Sequence, residues 1–190
     1  YVNHCYIYMG VGIAIPMDKY SIEGSELIRV SDTKRWPRAT SPRPNILART
    51  GNFLSSIVSF PFLSGYFKKS EPPSCWALAK RRWIVMVSVN LKDKSSSKSF
   101  CVSTYHMPCM FRNPDVMTIH ASLAAQRAES FAKGKPFVLA GDFNIKPQDP
   151  QYELLTTGMM DVTDRAYPRP SAEESWRPEL TSGLASAYAK

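Results

Sequence analysis

The chain has 190 residues, 44% apolar and 21% charged, which is enough for one domain with a sizeable core. Its 24 Lys and Arg against 16 Asp and Glu leave a net charge of +8, which suits an anionic partner such as nucleic acid, a phosphorylated small molecule or an acidic membrane, and equally suits plain solubility. No apolar run is long enough to cross a bilayer, and Cys5, Cys75, Cys101 and Cys109 contain no CxxC pair, which argues against a zinc site. The chain starts at Tyr1 instead of Met and shows no signal peptide, so it reads as a fragment. The cysteines are widely spaced, which makes a reducing compartment the default, and an intracellular, cytoplasmic setting is expected.

In chain order, Gly10 to Pro16 reads as a buried strand closed by proline, and Leu27–Val30 as a second, alternating one. Residues 32–49 are rich in Arg, Pro, Ser and Thr and read as an irregular loop. Within it, Arg35-Trp36-Pro37-Arg38 sets an aromatic between cations, a pattern that stacks bases and contacts phosphates. The same residues also describe a Trp capping a core edge between solvated arginines. Residues 52–66 read as a packed loop with a helical turn, and residues 68–74, with Pro72-Pro73, as a turn. Residues 83–91 (WIVMVSVNL) form a strand pattern, and so do residues 100–105 (FCVSTY), with a polar link between them that predicts a hairpin. Asn113, Pro114 and Asp115 open a helix with apolar positions at Val116, Ile119, Leu123 and Phe131, and Lys133-Gly134-Lys135-Pro136 stops it. Residues 137–140 form a short strand, Tyr152–Leu155 begin a short helix that ends near Gly158, and residues 164–182 are again rich in Pro, Arg and Ser.

The chemistry concentrates where the short strand ends, at Gly141-Asp142-Phe143-Asn144. On an extended chain Asp142 and Asn144 project to one side and Phe143 to the other. A carboxylate there can activate water or bind a metal, and an amide can donate to a phosphoryl oxygen. His106 ends the strand before the helix. A strand–helix–strand unit favours parallel neighbours, so both strands should finish at the same sheet edge, with His106 near Asp142 and Asn144. His120, inside the helix, reads as structural.

The ordered set Ser103-Thr104-Tyr105-His106-Met107-Pro108, helix, Gly141-Asp142-Phe143-Asn144, Pro147, Tyr152-Glu153-Leu154-Leu155 and Gly158 resembles the endonuclease/exonuclease/phosphatase superfamily. It looks most like the deadenylase, nocturnin and Angel-type branch. Gly12-Ile13-Ala14-Ile15 resembles the family's early Gly-rich strand, and Leu184-Ala185-Ser186-Ala187-Tyr188 a stretch before its last strands.

The resemblance implies an α/β fold of two packed mixed β-sheets flanked by helices, a four-layer sandwich of the DNase I type. Residues 1–190 would be one such domain, incomplete at both ends. It implies a hydrolase acting on phosphodiester bonds, most often of nucleic acid, with RNA favoured. A phosphatase, a lipid phosphodiesterase or a non-catalytic binding relative are the alternatives. Asp142 would orient or deprotonate the attacking water, Asn144 would hold a phosphate oxygen, and His106 would bind phosphate. Tyr105, Arg35, Trp36 and Arg38 would contact substrate. Mg²⁺, or Mn²⁺ in its place, would be the cofactor, with Asp142 as one ligand. The family's main Glu ligand would lie upstream of Tyr1, and its terminal Asp-His pair beyond Lys190. The segment alone is therefore expected to be weakly stable and inactive.

Overall fold

The computed structural model describes residues 10–36, 74–169 and 175–189, which belong to one compact unit. The loop readings over residues 37–73, and Arg38 with them, lie outside the described residues. Strand β1 (Tyr20–Arg29) is followed by a 3-10 turn over Val30–Thr33. Helix α1 (Cys75–Lys80) leads to strands β2 (Val85–Asp93) and β3 (Ser99–His106). Helix α2 (Pro114–Ala132), strand β4 (Phe137–Asp142) and helix α3 (Pro150–Thr157) complete the order.

The strands make one mixed sheet in the order β1-β2-β3-β4. The first two pairings are antiparallel and β3–β4 is parallel, so α2 is the crossover that the strand–helix–strand pattern demanded. The fold is α/β. Among the described residues it supplies one sheet with helices packed on one face.

The hairpin link is held by Asp93, whose Oδ1 accepts the backbone N–H groups of Ser95 and Ser96 at 2.7 and 2.8 Å and the Ser95 hydroxyl at 2.6 Å. These bonds keep its carboxyl down at about 2. Pro114 stands in the first turn of α2, where its missing N–H costs nothing. The helix closes with left-handed residues Lys133 and Gly134.

Alternation along β3 turns Cys101, Ser103 and Tyr105 toward α2, all fully buried. Tyr105 packs with Met86 of β2 and Ile119, Leu123 and Ala124 of α2 in the core. The Ser88 and Ser103 hydroxyls, which share this face, bond each other at 2.7 Å and so escape the cost of dry, unpaired polar groups. The opposite face carries Leu27, Val138 and His106 on the strands' other set of positions.

Two readings change. Residues 10–16 form no ladder strand: Val11, Ile13 and Ile15 are half-buried in alternation with exposed neighbours, but the segment has no hydrogen-bonded strand partner among the described residues. Residues 75–80, between the turn at 68–74 and the strand pattern at 83–91, are a helix whose Ser74 side chain accepts the Ala77 N–H.

Candidate active site

The parallel pairing of β3 and β4 puts His106 opposite Asp142 in register. The Met107 N–H donates to the Asp142 carbonyl at 2.8 Å, so the two strand ends are clamped through their backbones. His106 Nε2 lies 3.8 Å from Asp142 Oδ2, with the side chains 26% and 64% exposed. Both therefore face solvent, on the face opposite α2. The separation is too long for a direct hydrogen bond and leaves both groups free to share an oxygen placed beside them.

Gly141 makes this meeting sterically possible. Its φ is 136°, and a Cβ there would stand 1.9 Å from the Tyr105 carbonyl oxygen. The strand can approach β3 this closely only without a side chain.

Asn144 reaches the site by a different route from the one alternation predicts. The ladder ends at Asp142, and Asn144 has a left-handed φ of 52°. A turn, not strand geometry, folds it back. Its backbone N–H donates to Asp142 Oδ1 at 2.9 Å, and its amide Nδ2 donates to the Met107 carbonyl at 2.9 Å. One Asn144 donor is thus spent on the β3 end, and the Asp142 carboxylate is oriented so that Oδ2 is left for His106.

Tyr105 is corrected as a substrate contact: it is fully buried, with its hydroxyl 2.7 Å from His120 Nδ1. Arg35 and Trp36 are not brought to the strand ends. Trp36 donates its ring N–H to the Ser31 carbonyl at 2.6 Å and meets Trp76 edge-on, as a Trp capping a core edge does. Arg35 lines a cavity on the helical side with Leu123, Gln126 and Arg127, while the side chains of His106 and Asp142 project from the other face. The Lys34 ammonium lies 5.3–5.7 Å from the ring centres of Trp36, Trp76 and Trp176, so the aromatic-cation cluster is internal.

Magnesium takes about six oxygen ligands in near-octahedral geometry. Among the described residues no three His, Cys, Asp or Glu side chains gather in a way that could hold a metal. Asp142 alone, beside an imidazole and an amide already in use, does not make up a magnesium site.

The segment that sequence patterns weighted least is His120. Helical periodicity places it on the buried side of α2, but only the folded chain shows that its ring stands against Tyr105.

No family model matches the chain. It is similar to Protein angel of Drosophila melanogaster, at 32% identity over 79 residues, covering 42% of this chain and 22% of that protein. The chain therefore spans well under two thirds of the curated relative it matches. Among solved structures, ANGEL2, a 2',3'-cyclic phosphatase, is 16% identical, with 84% of this chain and 36% of that one covered at a TM-score of 0.49. The human Nocturnin catalytic domain with bound sulfate is 14% identical, with 73% and 36% covered at a TM-score of 0.43. The mannosyl-6-phosphatase Bt3783 of Bacteroides thetaiotaomicron is 15% identical, with 72% and 37% covered at a TM-score of 0.40. Over the matched 79 residues the chain is similar to Protein angel, and its own motifs resemble the Angel-type branch.

Proposed function

We propose that this chain is part of a phosphoesterase that hydrolyses phosphodiester bonds of nucleic acid, with RNA favoured. The observation that carries the reading is the register of His106 with Asp142 at the clamped ends of two parallel strands. Asp142 Oδ2 takes a proton from the attacking water as the water oxygen bonds to phosphorus. The bond from phosphorus to the leaving oxygen then breaks, and that oxygen's proton comes from outside this pair. His106 donates from Nε2 to a non-bridging oxygen and stabilises the charge that gathers there. Asn144 keeps the carboxylate aimed through its backbone N–H. The net charge of +8 favours a polyanionic substrate over a neutral one.

Metal dependence belongs to the same proposal, with the principal ligands drawn from outside the described residues. A phosphatase or lipid phosphodiesterase would use the same three residues with a different rim, and a binding relative would keep the fold without turnover.

The test is product release by the intact protein from single-stranded RNA, a 2',3'-cyclic nucleotide, abasic DNA and an inositol phosphate, with and without chelator. RNA is expected to be cleaved, chelator to stop it, and D142N and H106A each to lower kcat by about 10²–10⁴-fold. Equal turnover by D142N and the wild-type protein, or no hydrolysis of any substrate, overturns the reading.

A further inference from the structure

We propose that Tyr105 and His120 are positioning residues that hold both arms of the strand-end site from the buried side; this rests on the phosphoesterase reading above.

The directions of the two hydrogen bonds follow from chemistry alone. His120 Nε2 is 3.0 Å from the Ala79 carbonyl, which can only accept, so Nε2 carries the proton. Neutral imidazole then has a bare Nδ1, and the Tyr105 hydroxyl, 2.7 Å away, donates to it. The chain of contacts runs from α1 through a helix α2 side chain to β3. Both rings are fully buried and stack nearly parallel, 8° apart. No water is needed to complete either bond.

Tyr105 reaches both arms from the buried side. It immediately precedes His106 in the strand. Its ring also meets Phe143 edge-on, with centroids 6.4 Å apart and planes at 64°. Phe143 stands between Asp142 and Asn144, so its packing sets the turn that aims both. The Tyr105 backbone is pressed against Gly141, one residue before Asp142. If the phenol ring shifts, the end of β3 and the turn after β4 shift together. The hydrogen bond to His120 is what ties that ring to the helices. Misplacing reacting groups by about 1 Å can cost on the order of 10²-fold in rate, so a tether of this kind has a measurable effect on turnover.

The experiment uses steady-state kinetics of the intact protein on single-stranded RNA, at a temperature where every variant is shown to be folded. Y105F keeps the ring and removes only the tether. We expect kcat to fall roughly 10-fold with KM within about twofold. H120L should behave like Y105F. H120Q, whose amide can accept from Tyr105 and donate to Ala79, should recover most of the loss. Y105F added to H106A should lower kcat less than Y105F does alone, because the tether acts through His106. A purely structural pair predicts a lower melting temperature, unchanged kcat per folded molecule, and additivity with H106A. Loss of activity in H106A and D142N with full kcat in Y105F and H120L overturns the positioning role and leaves the phosphoesterase reading standing. Full activity in H106A and D142N overturns both. Imidazole ¹⁵N shifts showing Nδ1 protonated in the folded protein overturn the tether by themselves.

Discussion

Replacing His120 with Gln should remove most of one component of the acid sensitivity of folding. Burial pushes the His120 imidazole down to about 4 from its ordinary 6.5; the nearby Arg82 charge works in the same direction, and the bond to the Ala79 carbonyl works against it. An unfolded chain takes up this proton near 6.5, whereas the folded one resists it until about 4. Between those values the unfolded state binds more protons, so stability rises with pH across the window. The contribution is complete above 6.5 and gone below about 4. The gap of roughly two and a half pH decades, at about 1.4 kcal/mol each, amounts to ~3 kcal/mol. Urea unfolding of the intact protein at intervals from pH 7.5 to 4 measures it. The wild-type protein should lose ~3 kcal/mol more than H120Q over that range. Lowered carboxyls such as Asp93 and Asp161 are present in both proteins and cancel in the difference. Parallel pH profiles for the two proteins would refute the reasoning, because they would mean that His120 is protonated or hydrated in the folded state.

The remaining predictions are local. Gly141→Ala would force a Cβ to 1.9 Å from the Tyr105 carbonyl oxygen, and denaturant melts should show a loss of about 4 kcal/mol or more. Ser103→Ala alone should cost about 1–3 kcal/mol, since it strands the Ser88 hydroxyl in the core, while the S88A/S103A double variant should cost less than the two single losses together in a double-mutant cycle. Asn144→Ala should destabilise by about 1 kcal/mol more than Asn144→Gly, because only Gly takes a φ of 52° without strain; both lose the amide bond to Met107, and equal melting would show that the left-handed turn is not what matters.

The site was partly legible before folding. Asp142, His106 and their strands could be read because a crossover helix between two strand patterns forces parallel pairing, and parallel neighbours end at one edge. Asn144 was legible as a residue but not in its geometry: strand alternation stops at Asp142, and the reversal that follows depends on Met107 accepting its amide. Tyr105, which the resemblance offered as a substrate contact, adjoins His106. Adjacent strand residues point to opposite faces, so its neighbour's exposure implied its own burial. The basic aromatic stretch at Arg35 and Trp36 misled in the other direction, since composition cannot say whether a Trp between cations faces a ligand or another Trp.

What the sequence by itself determined is whatever short-range physics sets: β2 from its β-branched run, the α2 boundaries from Pro114 and the Lys133-Gly134 stop, and the shared edge of β3 and β4 from handed connectivity. Whatever depends on two distant segments touching was decided only by the tertiary structure. The run Gly10–Pro16 has a strand's pattern and no ladder among the described residues, because a strand needs a neighbour that no local pattern supplies. The Tyr105–His120–Ala79 chain joins residues up to 41 positions apart, and its hydrogen bonds exist only after the core has closed and excluded water.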